Sequence, residues 1–193
     1  MLEEVAAAIS LNRAPALAFA LSRCPVGAPV MFIVPATTLR EMARPSLYGM
    51  AAYPPLLLVT TRTEADALWA IEQALLSGAL GGVIGAVDRA TLTQSRRVDF
   101  AARDGGTPAF LLRTSGSGLS AARRRWRISA MPSARNLNDQ VAPGQSRLFA
   151  ELWRRRDGSP GHWRLDCDDA TGRFLVAGRL GPDGLDAPAR QAA

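Results

Sequence analysis

Hydrophobic positions along this chain keep two rhythms. Val30-Met31-Phe32-Ile33-Val34 is an unbroken apolar run closed by Pro35, and Leu56 to Val59 is a second run. Runs of this kind, bounded by turn residues, predict strands, the first of them a buried one. The period then changes. Thr63-Glu64-Ala65-Asp66 opens a helix in capping-box style, with Asp in place of the usual Glu. Leu68, Ile71, Leu75 and Leu76 follow at helical spacing, so a helix over 65–77 is expected, ending at Gly78. Gly81 to Val87 is the next buried-strand run, a second helix is expected from about Leu92 to Asp104, and Ala109-Phe110-Leu111-Leu112 is a further strand. Strands alternating with amphipathic helices predict βαβ units on a parallel sheet.

The two ends of the chain read differently. Val5, Ile9 and Leu17, among many alanines, suggest helical starts interrupted at Pro15, with one helix over 15–23. Thr37 and Thr38 are expected to cap a short helix limited by Pro45. After Arg113 the composition shifts. Thr114-Ser115-Gly116-Ser117-Gly118 reads as a connector, and Asn136 to Ser146 as a polar loop. Short strands with polar alternation follow: Trp126 to Met131, Leu148 to Trp153, then a hairpin of Trp163 to Cys167 and Phe174 to Ala177 around Asp169-Ala170-Thr171-Gly172. The expected architecture is α/β: a mainly parallel central sheet flanked by helices and extended by C-terminal antiparallel strands. One domain is expected over residues 1–180, with a flexible tail over 181–193.

Charge adds a further feature. The formal net charge is +6, and all 23 basic residues are arginine. Arginine suits phosphate and acidic protein surfaces through its planar donors; an Arg- and Ala-rich composition also follows from a GC-rich genome. Cys24 and Cys167 form no CxxC pair, Glu3 and Glu4 stand where a signal peptide would be basic, and no apolar stretch approaches membrane-spanning length. The expectation is a cytoplasmic protein without a membrane role.

Candidate catalytic groups are sparse. A phosphate loop needs a Gly-rich turn, a lysine for the β/γ-phosphates and a Ser/Thr for magnesium; no such turn occurs, and no lysine occurs at all. His162 is the single histidine and sits after Ser159-Pro160-Gly161, which reads as a solvated turn. Asp166, Asp168 and Asp169 cluster near Cys167, but strand alternation separates them and Asp169 suits a turn. We therefore expect no catalytic, cofactor-binding or metal-binding residues. The remaining candidates are contacts: Arg96 and Arg97 on the second helix, and Arg123, Arg125 and Arg127 on one strand face with Arg124 and Trp126 on the other. Such a patch would meet phosphate without reading sequence, or an acidic partner with Trp126 or Trp153 as anchor; a core position is the alternative for either tryptophan.

This order of elements resembles the RecA recombinase core with its first strand and phosphate loop removed. Ala65 to Val87 looks like the segment leading to the Walker B strand, Arg123 to Ser129 like a later strand, and Ser146 to Ala177 like the closing hairpins. RecA-like enzymes place a Glu after their second strand; the matching Ile33-Val34-Pro35-Ala36 has none, and Asp88, at the Walker B position, reads as a capping or turn residue. A closer resemblance is to the ImuA family of bacterial mutagenesis operons, itself described as similar to SulA cell-division inhibitors. It is carried by Gly81-Gly82-Val83-Ile84-Gly85, Leu92-Thr93-Gln94-Ser95-Arg96-Arg97, Phe110-Leu111-Leu112-Arg113, Ser120 to Arg127, Trp163-Arg164-Leu165 and Asp169 to Phe174. The resemblance implies a non-catalytic accessory protein of the SOS DNA-damage response, supporting translesion synthesis. The implied partners are an ImuB-like inactive Y-family polymerase and an error-prone replicative-type polymerase, with RecA, single-stranded DNA and a second copy as further candidates. Two other readings follow from it: a SulA-like inhibitor of the division GTPase, and a degenerate ATPase completed by a partner.

Overall fold

The computed structural model describes residues 1–8, 13–42, 54–114, 116, 118–136, 139, 141–168 and 170–181. Among them the chain forms nine strands and four helices: β1 (Leu2–Ala7), α1 (Arg13–Ser22), β2 (Val30–Pro35), α2 (Ala36–Met42), β3 (Leu56–Thr61), α3 (Glu64–Leu76), β4 (Gly82–Ala86), α4 (Leu92–Asp104), β5 (Ala109–Arg113), β6 (Arg124–Met131), β7 (Arg147–Arg155), β8 (Gly161–Asp168) and β9 (Arg173–Leu180). All strands join one sheet in the order β3-β2-β4-β5-β1-β6-β7-β8-β9. Pairing is parallel from β3 to β6 and antiparallel from β6 to β9. The expected mixed layout, parallel first and antiparallel after, is the one observed.

Both faces of the inner parallel strands are covered. One core joins Leu17 and Phe19 of α1 and Leu39 of α2 to Val5, Phe32, Ile84, Phe110, Ile128 and Leu152. The opposite core joins Leu68, Ile71 and Leu75 of α3 and Val98 of α4 to Ile33, Val83 and Leu111. Alternate residues of β2, β4 and β5 feed opposite cores, which is why those strands read as continuous apolar runs, whereas β3 at the sheet edge has no buried residue. Gly85 lets α3 approach closely: a Cβ there would meet Ile71 Cδ1 at 2.2 Å. The helices start as their local chemistry dictates. Thr63 and Asp66 form the reciprocal capping box of α3, and Thr91 and Gln94 form that of α4.

Several expectations are corrected. Leu2–Ala7 is not a helical start but a strand at the centre of the sheet, between β5 and β6, with every residue buried. Pro15 does not interrupt α1; it lies in the first turn, where its missing N–H costs nothing. Thr37 and Thr38 sit inside α2, which leaves β2 directly at Ala36 and has no separate cap segment. The limit at Pro45 lies outside the described residues, as do Ser115, Ser117, Asp169 and the tail over 182–193. His162 is in strand β8, stacked on Phe149 with ring centroids 5.7 Å apart, and not in a solvated turn. The hairpin between β8 and β9 turns through Gly172 at φ 65°. Asp168 accepts from the Thr171 hydroxyl and the Ala170 N–H, and these hold its carboxyl below the usual carboxylate range. Among the described residues no helix is long and apolar enough to cross a membrane.

Cys24 is 2% exposed beside Gly82, and burial pushes its thiol up to about 12. Because only the thiolate alkylates readily, iodoacetamide at about pH 8 should label the half-buried Cys167 and spare Cys24 until the chain unfolds. Peptide mapping of a labelling time course checks this; equal rates at both thiols in folded protein would contradict the buried position.

Candidate functional site

The most concentrated polar chemistry lies on the central strand. Glu3 and Glu4 are consecutive in β1, so their side chains leave on opposite faces of the sheet. Both are buried, at 4% and 2% exposure. Buried carboxylates survive only where cations and donors replace their water. Glu4 has two: Arg113 Nη1 from β5 at 3.0 Å and Arg125 Nε from β6 at 2.7 Å. Arg125 goes on to donate to the carbonyls of Gly116 and Gly118, and its guanidinium lies 4.3 Å from the ring centre of Trp153. Burial lowers the Arg125 pKa, Glu4 opposes that shift, and Arg113 and Arg154 add to it.

Glu3 serves the other face. It accepts from Arg23 at 3.0 Å, Arg124 at 3.2 Å and the Trp126 indole N–H at 2.6 Å. Arg23 also lies over the Phe19 and Trp126 rings. The two carboxylates thus tie α1, β5, β6 and the loop after β5 to the middle of the sheet.

At the C-terminal ends of β4 and β5 a second polar junction forms around Asp88. Its carboxylate accepts from the Thr114 N–H and hydroxyl, its carbonyl accepts from Arg113, and the N–H groups of Asp88 and Arg89 donate to Glu64. Asp88 is therefore a loop-pinning residue among these groups. Asp88 borders two spaces: one of about 20 Å³, lined also by Ala7, Arg13, Thr38, Ala86 and Arg113, with room for roughly one water molecule, and an open groove of about 550 Å³ lined also by Arg89, Thr91, Thr114 and Leu119.

The residues singled out as contacts fall into two kinds. Arg96, Arg97, Arg123 and Arg127 are exposed. Arg97 pairs with Glu72 at 2.7 Å across the α3–α4 face, and Arg127 with Glu151 at 2.6 Å on β7. Arg125 and Trp126, by contrast, are interior at 2% and 9% exposure. The strand alternation that put Arg123, Arg125 and Arg127 on one face and Arg124 and Trp126 on the other holds from Arg124 onward, while Arg123 precedes β6, and it does not make the first face open. Arg125 faces Glu4, and Trp126 packs between Phe19 and Trp163 at centroid distances of 5.2 and 5.8 Å. The exposed arginines are the ones available to a partner.

No family model matches the chain. Two curated relatives do match: Protein ImuA from two strains of Caulobacter vibrioides, each 31% identical over 143 residues that cover 67% of this chain. The chain belongs to the ImuA family. It spans 58% of the length of those relatives. Among solved structures, SulA from Pseudomonas aeruginosa matches with a TM-score of 0.43 and 18% identity, covering 58% of this chain and 96% of that one.

Sequence reading missed the polar centre of this ImuA-family chain. Glu3 and Glu4 were weighed only as acidic residues near the start, and Arg113 and Arg23 were not singled out. The partners of Glu4 stand 109 and 121 residues away along the chain, so no local spacing reveals them. One signal was present: two adjacent carboxylates inside an otherwise apolar stretch, in a chain whose basic residues are all arginine.

Proposed function

We propose that this chain is a non-catalytic, RecA-like accessory protein of the SOS DNA-damage response, working in the cytoplasm to support translesion synthesis and induced mutagenesis. On this reading it acts by contact, with an ImuB-like inactive Y-family polymerase and an error-prone replicative-type polymerase, and single-stranded DNA and RecA are further candidates for the same surface. Family membership supports the setting. The observation that carries the non-catalytic part is the β1–α1 connection. In a phosphate-binding strand–loop–helix unit this connection supplies the glycine-rich cradle and the lysine. Here it reads Ala8-Ile9-Ser10-Leu11-Asn12, the first glycine of the chain is Gly27, and no lysine exists. The commitment of Arg113 to Glu4 supports that reading.

The test has two arms. Calorimetric titration of the chain with ATP and magnesium should give no saturable heat; stoichiometric binding would overturn the non-catalytic reading. Charge reversal of the exposed Arg96, Arg97, Arg123 and Arg127 should weaken binding to an ImuB-type polymerase by about tenfold or more, since rim charges steer association even where each pair is worth little. A folded variant that binds as tightly as the parent removes these arginines from the contact surface.

A further inference from the structure

The sheet ends on β9, which pairs with β8 on one side and, among the described residues, with no strand on the other. An edge strand presents a row of unpaired backbone donors and acceptors, and soluble proteins usually guard it with charge, a bulge or a covering element. The middle of β9 is poorly guarded: Leu175 is 57% exposed and Val176 67%. Its ends carry Arg173 and Arg179, both exposed. Asp168 stands opposite Arg173 in the ladder, yet its oxygens are taken by Ala170 and Thr171 of the turn. Among the described residues neither arginine has an ion-pair partner.

Next to this edge lies a groove of about 350 Å³ between α1 and the antiparallel strands. Phe19, Trp126, Trp163 and Phe174 give it an aromatic lining, and Arg173, Leu175 and Val176 of β9 form its wall. Strand addition to a sheet edge uses both kinds of feature: main-chain hydrogen bonds along the edge supply affinity, and a pocket for alternate side chains supplies selectivity.

We propose that β9 is the docking edge for an extended segment of an acidic partner protein, apolar at its centre and carrying carboxylates at both ends. The charges decide the occupant. Self-pairing of β9 brings arginine ends together in either orientation: antiparallel pairing sets the Arg173 end against the Arg179 end of the second copy, and parallel pairing sets like against like. Like charges across a ladder destabilise it and opposite charges support it. The net charge of +6 opposes a second copy further. A segment with an apolar middle over Leu175 and Val176 and a carboxylate near each arginine satisfies both features of the edge. The proposal stands apart from the mutagenesis reading, because the edge itself is tested whichever protein carries the segment.

Fluorescence anisotropy on the full chain tests it with three labelled octapeptides. The first alternates valine and threonine between terminal aspartates, the second has arginines at those ends, and the third has proline at alternate positions and lacks the backbone donors. The parent should bind the first saturably and the other two at least about tenfold more weakly. The exposed Arg173→Glu/Arg179→Glu variant should reverse the order of the first two. Hydrogen exchange of the parent with the first peptide should slow the amides of β9. Absence of saturable binding, equal binding of all three peptides, or indifference to charge reversal would overturn the proposal. So would sedimentation showing a dimer that Leu175→Lys/Val176→Lys dissolves, which assigns the edge to a second copy.

Discussion

Replacing Glu4 with glutamine should lower the unfolding free energy by about 3–5 kcal/mol, the usual result of removing one partner from a buried ion pair. The change is nearly isosteric, so packing is preserved and the effect isolates charge. In the parent, Glu4 sets one negative charge between Arg113 and Arg125, whose side chains are 7% and 3% exposed. With a neutral amide between them, two guanidiniums face each other out of water with no anion to compensate them. The amide nitrogen also points a donor where an acceptor is needed. Against a typical total stability of roughly 5–15 kcal/mol, such a loss is a large fraction. Urea denaturation followed by tryptophan fluorescence measures it, and a loss below about 1 kcal/mol would show that the cluster is hydrated or electrostatically idle.

The companion variant separates stability from positioning. Glu4→Leu/Arg113→Met/Arg125→Met removes the cluster together, and buried ionic groups replaced this way by apolar residues often leave stability level or raised. It also removes the donors from Arg125 to the Gly116 and Gly118 carbonyls and from Arg113 to Asp88, which fix the loop after β5. If stability returns while binding to the proposed polymerase partner does not, the cluster exists to place that loop. If both return, the ion pairs are dispensable to the surface.

What the sequence disclosed, and what it hid, follows from the range of the interactions. The start of α3 was legible because its capping box, Thr63 with Asp66, is written within four residues; the box of Thr91 with Gln94 at α4 is equally local, though only the structure brought it out. β2, β4 and β5 were legible because strands buried on both faces need unbroken apolar runs. β1 obeys the same burial rule but breaks the run with Glu3 and Glu4, and the arginines that make this tolerable come from distant segments. The rule that buried strands are apolar fails where charge is matched across the sheet. Arg125 and Trp126 show the converse. Their alternation along β6 was readable, yet burial depends on the neighbouring strand, and arginine on a strand reads as exposed by default. His162 was hidden because Ser159-Pro160-Gly161 is a strong turn signal and the strand begins at its last residue.

Replacing Val5 with aspartate should abolish cooperative folding, although it places a carboxylate next in line after two that the strand already holds. Val5 is 0% exposed and shares the α1-side core with Ile84, Phe110, Trp126 and Ile128. Glu3 lies on that same face two residues earlier, where Arg23, Arg124 and the Trp126 indole already spend their donors on it. At Val5 the flanking positions in the ladder are Leu112 of β5 and Trp126 of β6, neither of them a cation. A carboxylate there loses its hydration without replacement, at a cost of several kcal/mol, and forfeits the burial of the valine as well. It also does so in the strand that joins β5 to β6, so no peripheral unfolding relieves it. Together these losses match a typical domain's whole margin. Near-UV circular dichroism should lose its fine structure, and the thermal transition should disappear or broaden beyond a two-state fit. Val5→Thr, which adds a hydroxyl of similar volume without charge, should keep a cooperative transition at lower temperature. If the aspartate variant instead melted within a few degrees of the parent, β1 would not be the closed, charge-matched centre of this sheet, and the roles assigned to Glu3 and Glu4 would fall with it.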